Sequence, residues 1–225
     1  MQPTFLPWIG YFAMIDRVDK FVFLDNVAFD HRSWQQRNRI KTPQGTLWLT
    51  VPVRAKGNRG QLVKDMQIQY EGGNPLDKIA RTLEHTYGKA AFYREYAPGM
   101  ISIFESSPEK INDLNIALIK YFCSAFEIKQ NFSSASCLNA TGAKADLLAN
   151  ICEEKGADLY ISAPGSREYL EESDVFARKN IPYAYHEYNH PQYVQMYGDF
   201  IPYMCAADLL FNEGPKSLKI IRSGM

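Results

Sequence analysis

Three clusters in this chain hold side chains of the kinds that bind anions or move protons. The first is His31-Arg32-Ser33-Trp34-Gln35-Gln36-Arg37-Asn38-Arg39-Ile40-Lys41. It carries Arg32, Arg37, Arg39 and Lys41 and no acid. Guanidinium groups grip phosphate oxygens in pairs, and an indole offers a flat face to a base or sugar. His31, Trp34, Arg37, Asn38 and Arg39 are therefore candidate contacts to a pyrophosphate and its ring; a solvated charged strand is the plainer alternative. The second cluster is Ser162-Ala163-Pro164-Gly165-Ser166-Arg167. Backbone N–H groups of Gly165 and Ser166, the Ser166 hydroxyl and Arg167 could hold a phosphate or carboxylate at the start of a helix. It is neither a Walker motif nor GxGxxG, and a capped turn explains Ser166 as well.

The third cluster is His186-Glu187-Tyr188-Asn189-His190-Pro191. The letters read His-Glu-x-x-His, a zinc signature when they lie on a helix. Pro182, Tyr183, Tyr185, Tyr188 and Pro191 give the segment β character instead. On a strand, residues four apart lie more than about 10 Å from each other at roughly 3.3 Å per residue. No metal site is expected here. His186 or Glu187 at a strand end could serve as a general base, neutral imidazole having the suitable pKa range.

The opening Gln2-Pro3-Thr4-Phe5-Leu6-Pro7-Trp8-Ile9-Gly10-Tyr11-Phe12 packs two prolines, a glycine and several aromatics together. Each proline pushes the residue before it out of the helical region, so an extended, stiff loop is expected. It leads into a helix over Trp8–Val18, with Pro7 near the first turn and Phe12, Ile15 and Val18 on one face. A loop of this kind at a helix start is a common anion or nucleotide site, with Gln2, Trp8 and Tyr11 as candidate contacts; an aromatic plug for the core is the alternative. Asp25, after the apolar run Lys20–Leu24, sits where open α/β sheets place ligands, and is a candidate for a substrate ammonium; a turn-forming role is the alternative. Asp208 lies in the apolar run Cys205–Leu210, where a charge needs a partner. It is expected to hold an arginine of the basic segment or to bind a substrate amine.

The elements that must position these residues follow from periodicity and turn signals. Strands are expected at Lys20–Leu24, His31–Lys41 and Thr46–Val53, the last pair separated by the turn Pro43-Gln44-Gly45, and again at Met66–Tyr70. Arg54–Gly60 reads as a basic loop able to act as a lid. Helical spacing dominates from Pro75 to about Phe126, with Pro98 and Pro108 dividing it into three helices. Beyond it come a short strand at Phe132–Ala135, a helix at Ala143–Lys155 and a strand at Leu159–Ser162. A short helix, a strand at Ile181–Tyr188 and a closing helix at Phe200–Phe211 complete the chain. Alternating helices and strands favour βαβ units. The expectation is one α/β body over residues 1–225 with a mostly parallel sheet and a helical insertion at about 75–127.

The chain of 225 residues is long enough for a substantial core. Its 25 basic and 25 acidic residues cancel, which argues against nucleic acid as the main partner. No apolar run has membrane-spanning length, and the start lacks the order of a signal peptide. Cys123, Cys137, Cys152 and Cys205 are scattered without CxxC pairing, as in a reduced, cytoplasmic protein. Nothing in the sequence sets an oligomeric state.

With these segments in order, the chain resembles the WbqC-like protein family nearly end to end. The likeness rests on QPTFLPWIGYF, FVFLDNVAF with SWQQRNRIK, LWLTVPV, and the helix bearing His85 and Tyr87. It continues through ADLYISAPGSREYL and YHEYNHPQYVQMYGDFIPYMCAADLLFNEG. Members typically begin with a short apolar strand before the Gln-Pro pair, so the start at Met1-Gln2 implies a sheet incomplete at that edge. The resemblance implies a place in O-antigen and related surface polysaccharide synthesis, in a bacterial cytoplasm. The implied activity is transfer of glycine or a similar amino acid to the amine of a nucleotide-linked deoxyamino sugar. The implied partners are that nucleotide sugar and an amino acid or activated acyl donor. The element order is also similar to the nucleotidyltransferase-like class of adenylate-forming folds, with PWIGYF and ISAPGSRE in the two phosphate-loop places. That similarity implies ATP with Mg as cofactor, although PWIGYF lacks the histidines those enzymes use on phosphate. A non-catalytic binding or scaffold protein of a polysaccharide assembly complex is the rival expectation, since exposed Trp and Tyr suit partner binding too.

Overall fold

A computed structural model describes residues 1–54 and 60–225. The middle of the basic Arg54–Gly60 loop thus lies outside the described residues. Helix α1 (Ile9–Asp16) follows the opening loop, and every residue from Ile9 to Ile15 is buried. A helix apolar all round belongs inside a core rather than on its surface, so the expected one-sided face is replaced by complete enclosure. Strand β1 (Lys20–Phe23) comes next, then the hairpin β2 (Arg37–Thr42) and β3 (Gly45–Thr50). Helices α2 (Pro75–Tyr87), α3 (Tyr93–Glu105) and α4 (Ile111–Ala125) fill the stretch read as helical. The remainder is β4 (Asn131–Ser134), α5 (Lys144–Glu154), β5 (Tyr160–Ser162), α6 (Arg167–Glu171), α7 (Val175–Arg178), β6 (Tyr183–Tyr185), α8 (Ala206–Glu213) and α9 (Ser217–Arg222).

Sheet structure departs from the expectation of one mostly parallel sheet. Among the described residues the strands form pairs: β1 with β4 and β5 with β6 are parallel, β2 with β3 is antiparallel. The nucleotidyltransferase-like order is therefore not seen. The edge of β1 facing away from β4 carries a single rung, in which the Met1 amino group donates to the Val22 carbonyl (2.8 Å) and Leu24 N–H donates to the Met1 carbonyl (2.9 Å). Burial lowers the pKa of this amino group from 8.0 to about 5.

Other differences have local causes. Pro98 does not end α3; it lies on the exposed side, so the carbonyl that loses its donor faces water. His31–Gln36 is a turn rather than strand, because the Gln35 side chain accepts from Asp30 N–H (2.8 Å) and Arg32 has a φ of 59°. Met66–Tyr70 makes only isolated bridges, Val53 with Ile68 and Gln67 with Lys110. The closing helix starts at Ala206 instead of Phe200 because donors before it are already taken. Ile201 N–H goes to the Gln195 side chain (2.9 Å), Tyr203 N–H to His190 Nε2 (3.1 Å) and Cys205 N–H to the Arg39 carbonyl (2.9 Å).

A main core joins α1, the hairpin, α2–α4 and α8, while a smaller one packs α5, α6 and α7 against β5 and β6. The opening loop is stitched into the main core by side-chain amides. Asn38 Nδ2 donates to the carbonyls of Leu6 (2.7 Å) and Phe5 (3.3 Å), and Asn115 Nδ2 to those of Pro3 (3.2 Å) and Gln35 (2.8 Å). Leu6 does leave the right-handed helical region, but it turns to a φ of 44° instead of extending. Such a conformation costs on the order of 1–3 kcal/mol for a residue with a side chain, which the Asn38 clamp offsets. Replacing Asn38 by Ala orphans buried carbonyls, and we expect a loss of about 1–3 kcal/mol in urea unfolding. Asn38→Asp should lose more, since it sets an acceptor against two carbonyls. Unchanged midpoints in both variants would show that the clamp contributes nothing.

Candidate functional site

The hairpin builds one end of the site. Its loop at Pro43–Gln44 sets Thr42 opposite Gly45, which places Arg39 opposite Trp48 and Arg37 opposite Thr50. Alternation turns Asn38 and Ile40 into the core and leaves Arg37 and Arg39 on the outer face. The Arg37 guanidinium lies 4.5 Å over the Trp48 ring, and that of Arg39 lies 5.7 Å from Trp48 and 5.8 Å from Trp34. Neither arginine meets an acid among the described residues, and both Nε atoms are buried without a partner. His31 is exposed nearby in sequence, its ring edge-on to Phe29.

An aromatic belt runs from this hairpin to the carboxyl ends of β5 and β6. Cys205 bridges to Trp8 as well as to Arg39. Trp8 folds its ring back over Gly10, where an added Cβ would come within 2.2 Å of it. That ring stacks on His190 (5.8 Å, 16°) and meets Tyr203 and Tyr188 edge-on. Tyr188 in turn stacks on His186 (5.8 Å, 20°), whose backbone N–H donates to the Ser162 carbonyl (2.8 Å). The opening loop, the arginine strand and the serine turn are thus joined along one continuous line of contacts. Two surface hollows lie elsewhere, one along Asn74, Asp77, Arg81 and His85 and one between Asp16 and Asn131.

His186 is buried with both ring nitrogens shielded from solvent, and neither makes a well-formed hydrogen bond among the described residues, the Gly10 backbone acting on the ring only as a loose acceptor. Burial lowers its pKa, the charge of Arg17 lowers it further, and the Gly10 backbone opposes both. The ring is therefore neutral at physiological pH. Glu187 points the other way along the extended chain and is exposed. His190 uses both nitrogens: Nε2 accepts from Tyr203 N–H, so Nδ1 carries the proton and donates to the Pro191 carbonyl (2.9 Å). Burial lowers its pKa as well.

Several residues expected at a ligand are committed to the protein. Asp25 accepts from Ser136 N–H (2.8 Å) and Oγ (2.6 Å), tying the ends of β1 and β4. Gln2 accepts from Gln35 (2.8 Å), and Tyr11 donates to the Gln2 carbonyl (3.0 Å). Ser166 bonds Ser162 and the Ala163 carbonyl, whereas Arg167 pairs with Glu171 (2.9 Å) and covers the Tyr185 ring. Asp208 pairs with no arginine among the described residues. It accepts from Tyr87 (2.8 Å), Tyr193 (2.9 Å) and Gln195 (2.7 Å), with burial raising its pKa and these donors and Lys41 lowering it. Lys41 is buried too, with Nζ donating to the carbonyls of Gly198 and Asp199. Sequence reasoning missed Trp48, although counting back from the Pro43-Gln44-Gly45 turn pairs it with Arg39. Tyr188, His190 and Tyr203 had no such signal, because their belt is built by segments distant in the chain.

Against the nucleotide and magnesium implied above, the donor set divides. Arg37 and Arg39, cationic and without acid partners, fit phosphate oxygens. The carboxylates of Asp25 and Asp208 do not fit magnesium, since protein donors already saturate them. No group of three or more His, Cys, Asp or Glu among the described residues is arranged to hold a metal. No helix among the described residues is long and apolar enough to cross a membrane. The four cysteines are unpaired, and burial pushes the Cys123 and Cys205 thiols up to about 12 and Cys152 to about 11.

A mixed α/β fold with an arginine–tryptophan hairpin and an aromatic belt is thus the scaffold in question. Residues 2–220 match the WbqC-like protein family, and the chain belongs to that family. It is similar to "Uncharacterized protein Rv1507c" of Mycobacterium tuberculosis, with 34% identity over 224 residues, which cover 99% of this chain and 96% of the relative. No solved structure matches.

The two histidines set an expected pH dependence. The unfolded chain protonates them near the usual 6.5, above their native values, so acid favours unfolding from there down to the native pKa values. The Met1 amino group acts in the same sense between 8.0 and about 5. Asp208, raised by burial, opposes the trend at the acid end. We expect the melting temperature to fall from about pH 8 to pH 5, less steeply in His186→Gln. A melting temperature that rises on acidification in differential scanning fluorimetry would contradict this account. Gly10→Ala should expel Trp8 from the belt, read as a red shift and loss of protection in tryptophan fluorescence. An unmoved spectrum would mean the ring does not depend on Gly10.

Proposed function

We propose that this protein is an enzyme that forms an amide on the amine of a nucleotide-linked deoxyamino sugar, using glycine or a similar amino acid, in O-antigen synthesis in the cytoplasm. The observation that carries the reading is His186, a buried imidazole without a well-formed hydrogen bond among the described residues, at the carboxyl ends of β5 and β6, where burial favours its neutral form. Amide formation needs such a group. The sugar amine attacks the activated acyl carbon, the activating group leaves with its electron pair, and the new ammonium must lose a proton. His186 is assigned as the acceptor of that proton. Arg37 and Arg39 are assigned to the diphosphate of the sugar nucleotide, and Trp34 to a ring. Donor activation by ATP to an aminoacyl adenylate is part of the same proposal and rests on the likeness of the segments PWIGYF and ISAPGSRE to the phosphate loops of adenylate-forming folds, not on the observed sheets.

A second reading has its own support. Trp34 and Trp48 are exposed together, their rings 5.5 Å apart, which suits a binding or scaffold role in a polysaccharide assembly complex. One assay separates the two. The protein is incubated with ATP, glycine and a thymidine-linked 4-amino sugar, and the sugar is examined by mass spectrometry for a glycyl adduct. We expect the adduct, with turnover lowered by about a hundredfold or more in His186→Gln. Arg37→Gln and Arg39→Gln should raise KM for the sugar nucleotide. An unmodified sugar across a panel of amino acid donors would overturn the enzyme reading and favour the binder.

A further inference from the structure

The outer face of the β2–β3 hairpin breaks several rules of surface design at once. Arg37 and Arg39 lie two apart on the same face, with like charges that repel and no acid among the described residues to relieve them. Both guanidinium Nε atoms are covered and unpartnered. Trp34 and Trp48 are 48% and 43% exposed, their rings 5.5 Å apart and inclined by 37°. Each guanidinium rests on an indole, yet the face still carries two cations without an acid and two half-exposed rings, the kind of local rule-breaking found at functional sites. The missing partner must carry negative charge spread over two guanidinium groups and an apolar flat surface beside it.

The carboxamides beside the hairpin that could read the edge of a base are buried and bonded within the protein. Asn38 is spent on the Leu6 and Phe5 carbonyls. Gln35 holds Gln2 and the Asp30 N–H, and Gln36 accepts from Arg32 N–H. Thr50, opposite Arg37, offers a hydroxyl that donates and accepts alike and so distinguishes no base pattern.

From this we propose that the β2–β3 hairpin is a nucleoside diphosphate clamp that reads the two phosphates and the flatness of the base, not its edge. Arg37 and Arg39 hold the diphosphate, and Trp48, with Trp34, holds the ring by stacking. The clamp deepens the reading above, on which it rests for the sugar attached to that diphosphate, and it makes the enzyme tolerant of the base in its sugar nucleotide.

Calorimetric titration of the full chain with UDP, dTDP, CDP, ADP and inorganic pyrophosphate tests it. The four nucleotides should bind with affinities within about threefold of one another, and pyrophosphate roughly tenfold or more weakly, since it lacks the stacking ring. Trp48→Leu should weaken all four nucleotides by about tenfold or more while leaving pyrophosphate within about twofold. Arg37→Gln should weaken all five ligands. Circular dichroism checks each variant, and Trp48→Phe, which keeps an aromatic face, should retain most of the affinity if Trp48→Leu does not fold. Discrimination of more than about tenfold between bases, or nucleotide binding indifferent to both Trp48 variants, overturns the clamp. The glycyl-transfer assay on the same preparations keeps the two claims apart. Transfer with wild-type rate in Trp48→Leu removes the clamp and leaves the enzyme; clamp-like binding without any transfer leaves the clamp and removes the enzyme.

Discussion

Two buried side-chain amides, Asn38 and Asn115, hold the carbonyls of the opening loop, and much of the molecule hangs on that grip. Pro3 and Pro7 have no N–H to offer, and Leu6 is twisted to a positive φ, so the loop cannot join a strand or helix in the ordinary way. Its carbonyls sit in the core, where an unpaired acceptor is costly. Asn38 from the hairpin and Asn115 from α4 supply the donors. The consequence is geometric: the loop ties three elements far apart in sequence, and α1 starts at the point they share. Trp8, Cys205 and the Arg39 backbone meet there.

The segment from Tyr185 to Cys205 depends on that junction and on a second device. It has almost no regular structure, so its backbone groups are satisfied one by one by side chains. Lys41, Gln195, His190 and Glu213 do most of this, and Asp208 holds Gln195 and Tyr193 in place. A carboxylate and an ammonium are buried for it, which water would otherwise hold more cheaply. What they secure is a particular course of the chain, with Tyr188, His190 and Tyr203 against Trp8 and with His186 beyond them.

The charged hairpin and the neutral imidazole lie at opposite ends of this belt. Many polar residues of the opening loop and strand ends face inward. Gln2, Tyr11, Asp25 and Asn38 shape the scaffold, whereas the Nε atoms of Arg37 and Arg39 and the His186 ring nitrogens lack well-formed hydrogen bonds among the described residues.

Local chemistry made much of this protein readable. The helices from Pro75 to Ala125, the hairpin turn at Pro43–Gln44, the alternation that puts Arg37 and Arg39 outward, and the α/β character all follow from spacing and turn residues, which act over a few positions. Family membership, too, was legible in the order of its motifs. Tertiary structure alone decided which polar groups are spent and which are free. Asp208 looked like a partner for arginine until Tyr87 and Tyr193 closed on it, and the Phe200–Cys205 run looked helical until distant acceptors claimed its N–H groups. A hydrogen bond is short and satisfies only one partner, so its allocation is settled where segments meet in space, and no window of sequence contains that meeting.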